Sequence, residues 1–472
     1  MLMRTTSLSL TEQLTSHFAD RITDRLLGAG ARLPSVRQCA EQHGVSPATV
    51  VAAYDKLLAQ GLVEARKNRG FFVRELVAPA AAGVGAPAGQ ALASRMPTRP
   101  PVDAAALMRG MFQGASDLPQ PGIGVFPAEW IAAGFMAAAV RKVARGNGLP
   151  ALSLQYGEPA GDMGLRRLLS QKIASLNVHA APEQIVTTVG ATHGLDIVSR
   201  TLLRAGDYVM VEEPGWAIEF ARLHSLGMRI LPVPRRADGP DLDVMARYCE
   251  AHQPKLFVSV SVLHNPTGYC LSPGSAHRVL TLANAHDFHI VEDDTYSHLA
   301  PDHATRLCAL DGLQRTIYVS GFAKILAPGW RVGYMAAAPA MTERLLDTKL
   351  LSTLSTPALL EKALAWCIDQ GQLRRHAERV RTRLDQARVR SVKLARAAGC
   401  TFASDPAGLF GWVDTGVDTD LLAQRMLDEG YLLAPGKLFH ANRQPSTLMR
   451  INFATTQAAA FWRVFEKVRG TV

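Results

Sequence analysis

The sequence predicts a two-part chain, a small α+β unit followed by a large α/β unit. Three observations carry this. Before residue 77, an apolar helical stripe and two capped helical patterns end in a short basic hairpin pattern. A stretch poor in packable side chains follows, and beyond residue 113 β-branched runs alternate with helical patterns. The 472 residues exclude a single small module, since a domain takes roughly 100–200 residues. With 48% hydrophobic and 19% charged residues, a mainly disordered chain is excluded as well. The excess of 51 Lys+Arg over 41 Asp+Glu is modest and points to an anionic partner.

Cysteine usage narrows the class further. Cys39, Cys249, Cys270, Cys308, Cys367 and Cys400 form no C-x-x-C pair, which suits neither a zinc site nor a disulfide framework. They read as reduced core thiols, so no metal and a cytoplasmic setting are expected. The first residues lack a basic segment followed by an apolar run. No run approaches the ~18 apolar residues of a membrane span, and the Ala-rich stretch 131–140 is too short. The expectation is a soluble protein with no membrane partner.

The boundary is drawn by composition. Of the 24 residues 78–101, eight are Ala, three Gly and five Pro, with Arg95 and Arg99 the only charges. Such a stretch cannot pack and disfavours helix, so it reads as a semi-extended linker. The expected division is 1–76, a linker at 77–112, and 113–472.

In the first part, Leu10, Leu14, Phe18, Ile22 and Leu26 recur at i, i+4 and predict an amphipathic helix. Ser35 can N-cap a second helix running to His43-Gly44. Ser46-Pro47 restarts a third, with Ser at the cap and Pro at the first helical position. Its expected buried face is Val50, Tyr54, Leu57 and Leu58, leaving Thr49, Ala52, Ala53 and Lys56 outside. Residues 62–66 and 70–73 read as strands around the basic turn Lys67-Asn68-Arg69. Two helices joined by a glycine turn and followed by a basic hairpin make a winged helix-turn-helix, whose second helix enters the DNA major groove. Small Ala48 and the hydroxyls of Ser46 and Thr49 suit that approach, while Arg66, Lys67 and Arg69 would meet phosphate or minor groove. A small helical dimerisation domain with solvated charges is the plainer alternative. Ten Lys/Arg against seven Asp/Glu in residues 1–77 do not separate the two.

Leu33-Pro34-Ser35-Val36-Arg37, Gly44-Val45-Ser46, Thr49-Val50 and the 61–73 stretch resemble the GntR-type winged helix over roughly residues 8–74. The resemblance implies that Arg37, Ser46, Thr49 and the wing contact double-stranded operator DNA. Pro47 stands where many members carry an arginine, which removes a base-reading side chain there and improves helix initiation.

In the large part, three strand patterns each deliver polar residues at their carboxyl ends, where α/β sheets bind ligands. Residues 255–260 run into His264-Asn265-Pro266-Thr267-Gly268, and 288–291 run into Glu292-Asp293-Asp294-Thr295-Tyr296. Residues 316–319 run into Ser320-Gly321-Phe322-Ala323-Lys324, with Arg331 seven residues after the lysine. A further strand, 185–189, turns through Gly190-Ala191-Thr192 into a helix, the arrangement in which backbone N–H groups close on a phosphate. Singly, each of these is usually structural. Together they suit pyridoxal 5'-phosphate (PLP), which needs a lysine amine for its aldehyde and a carboxylate for its pyridine nitrogen. It also needs donors for its ring oxygen, and an arginine with backbone amides for its phosphate. His264 reads as a packed neighbour and not as a catalyst.

This part resembles the fold-type I aminotransferases of class I/II over nearly all of 113–472. The resemblance implies that Lys324 forms the internal aldimine, Asp293 pairs with the pyridine nitrogen, and Asn265 and Tyr296 bind the ring oxygen. It implies that Gly190, Ala191, Thr192 and Arg331 hold the phosphate, that Ser320 belongs to the cofactor site, and that Trp216 stacks on the ring. Tyr156 would reach the partner subunit's phosphate site, and Arg450 would grip a substrate or effector α-carboxylate. Gly321 and Ala323 stand where the family often supplies serine hydroxyls, a loss of ~1 kcal/mol per missing bond. Ile218 stands where some amino-acid-sensing relatives carry an arginine, so a distal carboxylate on the ligand finds no support there.

The order of reader, linker and aminotransferase-like domain resembles the MocR subfamily of transcriptional regulators, which implies a homodimer. The expected function is a PLP-dependent regulator that senses PLP or an amine or amino-acid effector through the Lys324 aldimine. The alternative is a catalytic aminotransferase with an accessory reader, although transamination is not expected as the main role. A cofactor-free, degenerate fold is disfavoured by Lys324, Asp293 and Arg331.

Overall fold

The computed structural model describes residues 9–23, 27, 30–66, 70–74, 118, 120–146 and 148–472. The chain divides into two compact units, residues 1–114 and 115–472. The expected linker, 77–112, lies outside the described residues.

The first unit is built on α1 (Leu10–Thr23), α2 (Val36–His43), α3 (Pro47–Ala59) and the hairpin β1 (Val63–Arg66) and β2 (Gly70–Val73). Ser35 accepts the Gln38 amide at the start of α2, and Gly44 closes that helix in the left-handed region at φ 63°. Ser46 accepts the Thr49 amide and Pro47 opens α3, as the sequence pattern predicts. Leu14, Phe18 and Ile22 of α1 are buried; Leu26 lies outside the described residues and Leu27 is buried in its neighbourhood. One expectation fails. Ala53 is fully buried and Leu58 only partly so, because Val50, Ala53, Tyr54 and Leu57 form the i, i+3, i+4, i+7 stripe that packs on α1. The Tyr54 hydroxyl donates to the Pro34 carbonyl at 3.0 Å, fixing α3 against the turn that starts α2.

The second unit holds a sheet of eight strands in the order β3-β10-β9-β8-β7-β4-β5-β6. These are β3 (Ile185–Thr188), β4 (Tyr208–Glu213), β5 (Arg229–Arg236), β6 (Gly239–Pro240), β7 (Leu256–Ser259), β8 (His289–Asp293), β9 (Thr316–Gly321) and β10 (Gly333–Ala336). The five strands from β9 to β5 run parallel, but β10 is antiparallel to both β9 and β3, and β6 to β5. The sheet is thus mostly parallel, as expected, with β10 and β6 opposing the other six strands. Only eleven residues separate β9 from β10, too few for the crossover that a parallel neighbour requires. Side chains alternate across the sheet: Val209, Val211, Val258 and Val291 enter one apolar layer, and Met210, Phe257 and Ile290 the other. The long helix Gln372–Ala397 precedes a four-stranded sheet, β11 (Thr401–Phe402), β12 (Phe410–Asp414), β13 (Ala434–Pro435) and β14 (Leu448–Asn452), ordered β11-β12-β14-β13.

The first unit has a core of its own. Leu14→Ala, at a position with no exposure, is expected to destabilise that unit by about 2–5 kcal/mol. Calorimetry of the full chain should show one transition moving down while the transition of the larger unit stays in place.

Candidate functional site

Asp293 is placed by alternation along β8. Glu292 and Asp294 point to one side and are tied down there. Glu292 accepts the amides of Leu307 (2.7 Å) and Cys308 (2.8 Å). Asp294 accepts from Arg306 Nε at 2.6 Å and from the Tyr318 hydroxyl at 2.8 Å. With both neighbours anchored, Asp293 is left on the opposite face. Its Oδ1 accepts the Thr295 amide at 3.0 Å and the Thr295 hydroxyl. Burial pushes its carboxyl up to about 6 against these bonds, with Glu219 adding like charge.

Lys324 follows β9 and stands at the same carboxyl edge of the sheet. Its Nζ donates to the Gly124 carbonyl at 2.7 Å. Burial, then the neighbouring Arg450, brings the amine down to about 8, with Asp293 opposing. A minor but appreciable share of the side chain is therefore neutral near physiological pH, the form that attack on an aldehyde requires.

Arg450, on β14, lies beside it and is almost completely buried. Nη1 donates to Asn265 Oδ1 at 3.0 Å and Nη2 to the Gly122 carbonyl at 2.6 Å. The guanidinium sits 4.3 Å from the Phe410 ring centre and 5.1 Å from that of Phe439. Among the described residues Nε is buried without a partner. Burial brings the group down to about 10. Tyr296 is buried with its phenol pushed up, and its ring meets Phe410 edge-on at 5.7 Å.

At the other end of the site, Gly190 takes φ +80°, and a Cβ there would stand 2.6 Å from Arg331 Nη2. Arg331 itself donates to the Val189 carbonyl at 3.0 Å. Ala191 and Thr192 open the Ala191–Leu202 helix, so their amides have no intrahelical acceptor and are directed outward. Gly333 packs its Cα so closely on Gly190 that a Cβ would stand 2.5 Å from the Gly190 carbonyl carbon. Ser320 is turned away from this cradle: its hydroxyl donates to the Asp294 carbonyl at 2.9 Å inside the sheet.

Trp216, Glu219, His264 and Asp293 line one small cavity. His264 is buried, with Nδ1 2.9 Å from the Thr267 hydroxyl. Tyr156 is 84% exposed and makes no hydrogen bond among the described residues. The structure thus gathers Lys324, Asp293, Asn265, Tyr296 and Arg450, with Gly190–Thr192 and Arg331 at one end and Trp216 beside Asp293. These residues fit PLP: an amine of lowered basicity, a carboxyl, an open glycine cradle beside an arginine, and an aromatic wall.

Sequence reasoning missed the segment that closes this site. Residues 120–126 cross it, held by Asn452, whose Nδ2 donates to the carbonyls of Ile123 (2.9 Å) and Val125 (2.7 Å). The Asn452 amide donates to Pro121 O at 3.1 Å, and Gly122 N to Leu432 O at 2.8 Å. The two glycines, Gly122 and Gly124, supply the carbonyls that Arg450 and Lys324 hold. Pro121-Gly122-Ile123-Gly124 was the available signal, a local breaker motif that gives no sign of what its carbonyls meet.

In the first unit, Arg37 is exposed on α2, 3.6 Å from Glu41. The hydroxyls of Ser46 and Thr49 lie 2.8 Å apart at the start of α3. Arg66 pairs with Glu64 at 2.7 Å and covers the Phe72 ring at 4.6 Å. Lys67 and Arg69 lie outside the described residues.

Comparison with known proteins matches residues 135–468 to the aminotransferase class I and II family and residues 10–73 to bacterial regulatory proteins of the gntR family. The chain is 30% identical over 366 residues to a probable rhizopine catabolism regulatory protein, MocR, of Rhizobium meliloti, covering 75% of this chain and 71% of that one. It is 24% identical over 473 residues to an HTH-type transcriptional regulator, YisV, of Bacillus subtilis, covering 96% and 94%. Among solved structures, the α-aminoadipate aminotransferase LysN of Thermus thermophilus, complexed with N-(5'-phosphopyridoxyl)-L-leucine, superposes with a TM-score of 0.70. The identity there is 24%, over 78% of this chain and 96% of that one.

The lowered basicity of Lys324 makes a pH-dependent prediction for the cofactor-free chain. Between about pH 8 and 10.5 the unfolded lysine keeps its proton while the folded one releases it, so this group's contribution to stability rises with pH across that window. Below pH 8 the protonated amine is a penalty, which Lys324→Met removes. The variant should be more stable than its parent at neutral pH by about 2 kcal/mol, after the lost bond to Gly124 is set against it. That gain should shrink as pH rises towards 10, and urea unfolding at a series of pH values would expose a constant gain, which contradicts the assignment.

Proposed function

Because this chain belongs to the aminotransferase class I and II family and carries a gntR-family segment ahead of that domain, we propose that it is a PLP-dependent transcription regulator. In this reading it senses PLP, or an amine or amino acid, at Lys324. The observation that carries the reading is the coexistence, in one chain, of a capped reader helix and a gathered Lys324–Asp293–Arg450 site. The domain division at 77–112 is part of the same proposal. Relatives named as transcriptional regulators across nearly their whole length support it. A DNA ligand implies a cytoplasmic setting.

The cofactor is pyridoxal 5'-phosphate. Bound here, it supplies an aldehyde carbon that captures amines and a ring that withdraws electrons from the captured atom. In the proposed site Lys324 would offer its amine to the aldehyde, Asp293 would hold the ring nitrogen and Trp216 would wall the ring. Asn265 and Tyr296 would donate to the ring oxygen, and Gly190–Thr192 with Arg331 would hold the phosphate. Ser320 has its hydroxyl committed to Asp294, so its contribution is to pin the strand end. Arg450 accepts a ligand carboxylate by exchanging the Gly122 carbonyl for it and gaining a partner for Nε. In the first unit Arg37, Ser46, Thr49, Arg66, Lys67 and Arg69 are the proposed DNA-contacting residues, with Arg66 exchanging Glu64 for a phosphate.

A homodimer is part of the reading. Leu154, Tyr156 and Leu351 are 81%, 84% and 92% exposed, apolar or aromatic side chains without cover in the single chain. Transamination is the second reading, favoured by the retained Lys324 and Asp293. Fast steady-state transfer between common amino acids and 2-oxo acids, unaffected by DNA, would put it first.

Two measurements test the regulator. Borohydride treatment of the PLP-loaded protein should fix the cofactor on Lys324, as mapped by peptide mass. Lys324→Ala should lose the label while calorimetry shows both units folded; a wild type that stays unlabelled after PLP addition refutes the site. Arg450→Ala should weaken an amino-acid effector by tens- to thousands-fold, from loss of one partner of a buried charge-assisted pair worth ~2–5 kcal/mol. PLP itself should bind nearly as before. An unchanged effector response would remove Arg450 from the effector site.

A further inference from the structure

The positive charge of the chain is concentrated in an element that the reading above does not use. The Gln372–Ala397 helix carries nine Lys/Arg and two Asp/Glu, which is seven of the chain's ten net positive charges. Residues 1–77 carry three, ten basic against seven acidic, so the rest of the chain balances to zero. The helix buries one stripe, Leu373, Ala377, Val380, Leu384 and Ala387 among it, and so orients the remainder to solvent. Arg375, Arg379, Arg383, Arg390 and Lys393 are all exposed. At 100° per residue they fall within an arc of about 80°, over a rise of about 27 Å.

None of the five forms an ion pair among the described residues. Arg375 donates to its own segment's Gln370 carbonyl, and Arg383 stacks on Trp130 at 4.7 Å. Arg379, Arg390 and Lys393 make neither a hydrogen bond nor an ion pair there. The two acids of the helix sit off the stripe, Glu378 beside Arg374 and Asp385 beside Arg388. Like charges at i, i+4, such as Arg375–Arg379–Arg383, destabilise a helix by a few tenths of a kcal/mol per pair. A face kept only for solubility would mix its signs. This one is uniform.

We propose that this stripe is a second DNA-binding surface, one that takes the phosphate backbone of duplex DNA without reading bases. The occupant follows from charge complementarity. A rise of about 27 Å faces about eight base pairs, a dense row of fixed phosphates. Guanidinium and ammonium groups spaced along one face of a helix suit phosphate oxygens. The inference rests on the reading of this protein as a DNA binder.

The test uses the full chain, PLP-loaded, and a mixed-sequence duplex several helical turns long, with binding followed by fluorescence anisotropy across a salt series. Arg379→Gln/Arg390→Gln/Lys393→Gln should reduce the log–log salt slope by about 0.9 for each phosphate no longer neutralised, up to about 3 in all. Gln386 is exposed on the same stripe, so Gln386→Lys should steepen the slope by about 0.9 and keeps the test open if the triple variant folds poorly. Arg37→Ala reports separately on the first unit. Slopes unchanged in both helix variants overturn the proposal while leaving the first-unit reading intact. A slope that responds to the helix variants but not to Arg37→Ala supports the helix and removes Arg37 from the reader. No duplex binding by the wild type refutes both. A loss seen with heparin and not with duplex overturns the assignment to DNA in favour of another polyanion.

Discussion

Lys324 and Arg450 are two cations enclosed side by side, and neither has a carboxylate to itself. Most of the site follows from how that arrangement is tolerated. Asp293 is near, with its Oδ1 engaged by Thr295, and the cations donate to neutral oxygens: Gly124 and Gly122 carbonyls and the Asn265 amide. Burial, with no carboxylate dedicated to either, leaves both groups at reduced basicity, Lys324 at about 8 and Arg450 at about 10. Two aromatic faces, Phe410 and Phe439, add what attraction they can to the guanidinium. A site so built favours entry of anionic groups and a lysine ready to lose its proton.

The scaffold holds this imbalance in place by tying down everything adjacent. The strand that presents Asp293 is anchored through Glu292 and Asp294 to Arg306, Tyr318 and two backbone amides on its other side. The helix Gln372–Ala397 reaches the same region, for His376 Nε2 lies 2.8 Å from the Ile325 carbonyl, one residue beyond the lysine. A shift of that helix along its axis would therefore be felt at Lys324.

Much of this was legible because turn and cap chemistry is local. Ser46-Pro47, Gly44, Asn265-Pro266 and Gly190-Ala191-Thr192 constrain the backbone within a few residues of themselves, and the elements begin and end close to where those signals stand. Residues whose meaning depends on distant packing were misread or missed. Ala53 is small enough to suit either face of a helix, and only the approach of α1 decides that it is buried. The antiparallel β10, Gly333-Tyr334-Met335-Ala336, has no β-branched residue, so neither the strand nor its direction was marked in the sequence. Ser320 sits in a polar run, yet strand alternation turns its hydroxyl into the sheet. The 120–126 segment was hidden for a deeper reason: it acts through carbonyl oxygens, which every sequence has.

That segment also has a kinetic consequence. Arg450 Nη2 and Lys324 Nζ each commit one N–H to the strap, at the Gly122 and Gly124 carbonyls. A ligand carboxylate that takes over the bond now held by Gly122 would displace part of a strap fixed at several further points by Asn452 and Leu432. If departure comes first, the observed association rate stops rising with ligand concentration once it reaches the rate of strap opening. Changes at Asn452, remote from the ligand itself, would then alter how quickly the site fills.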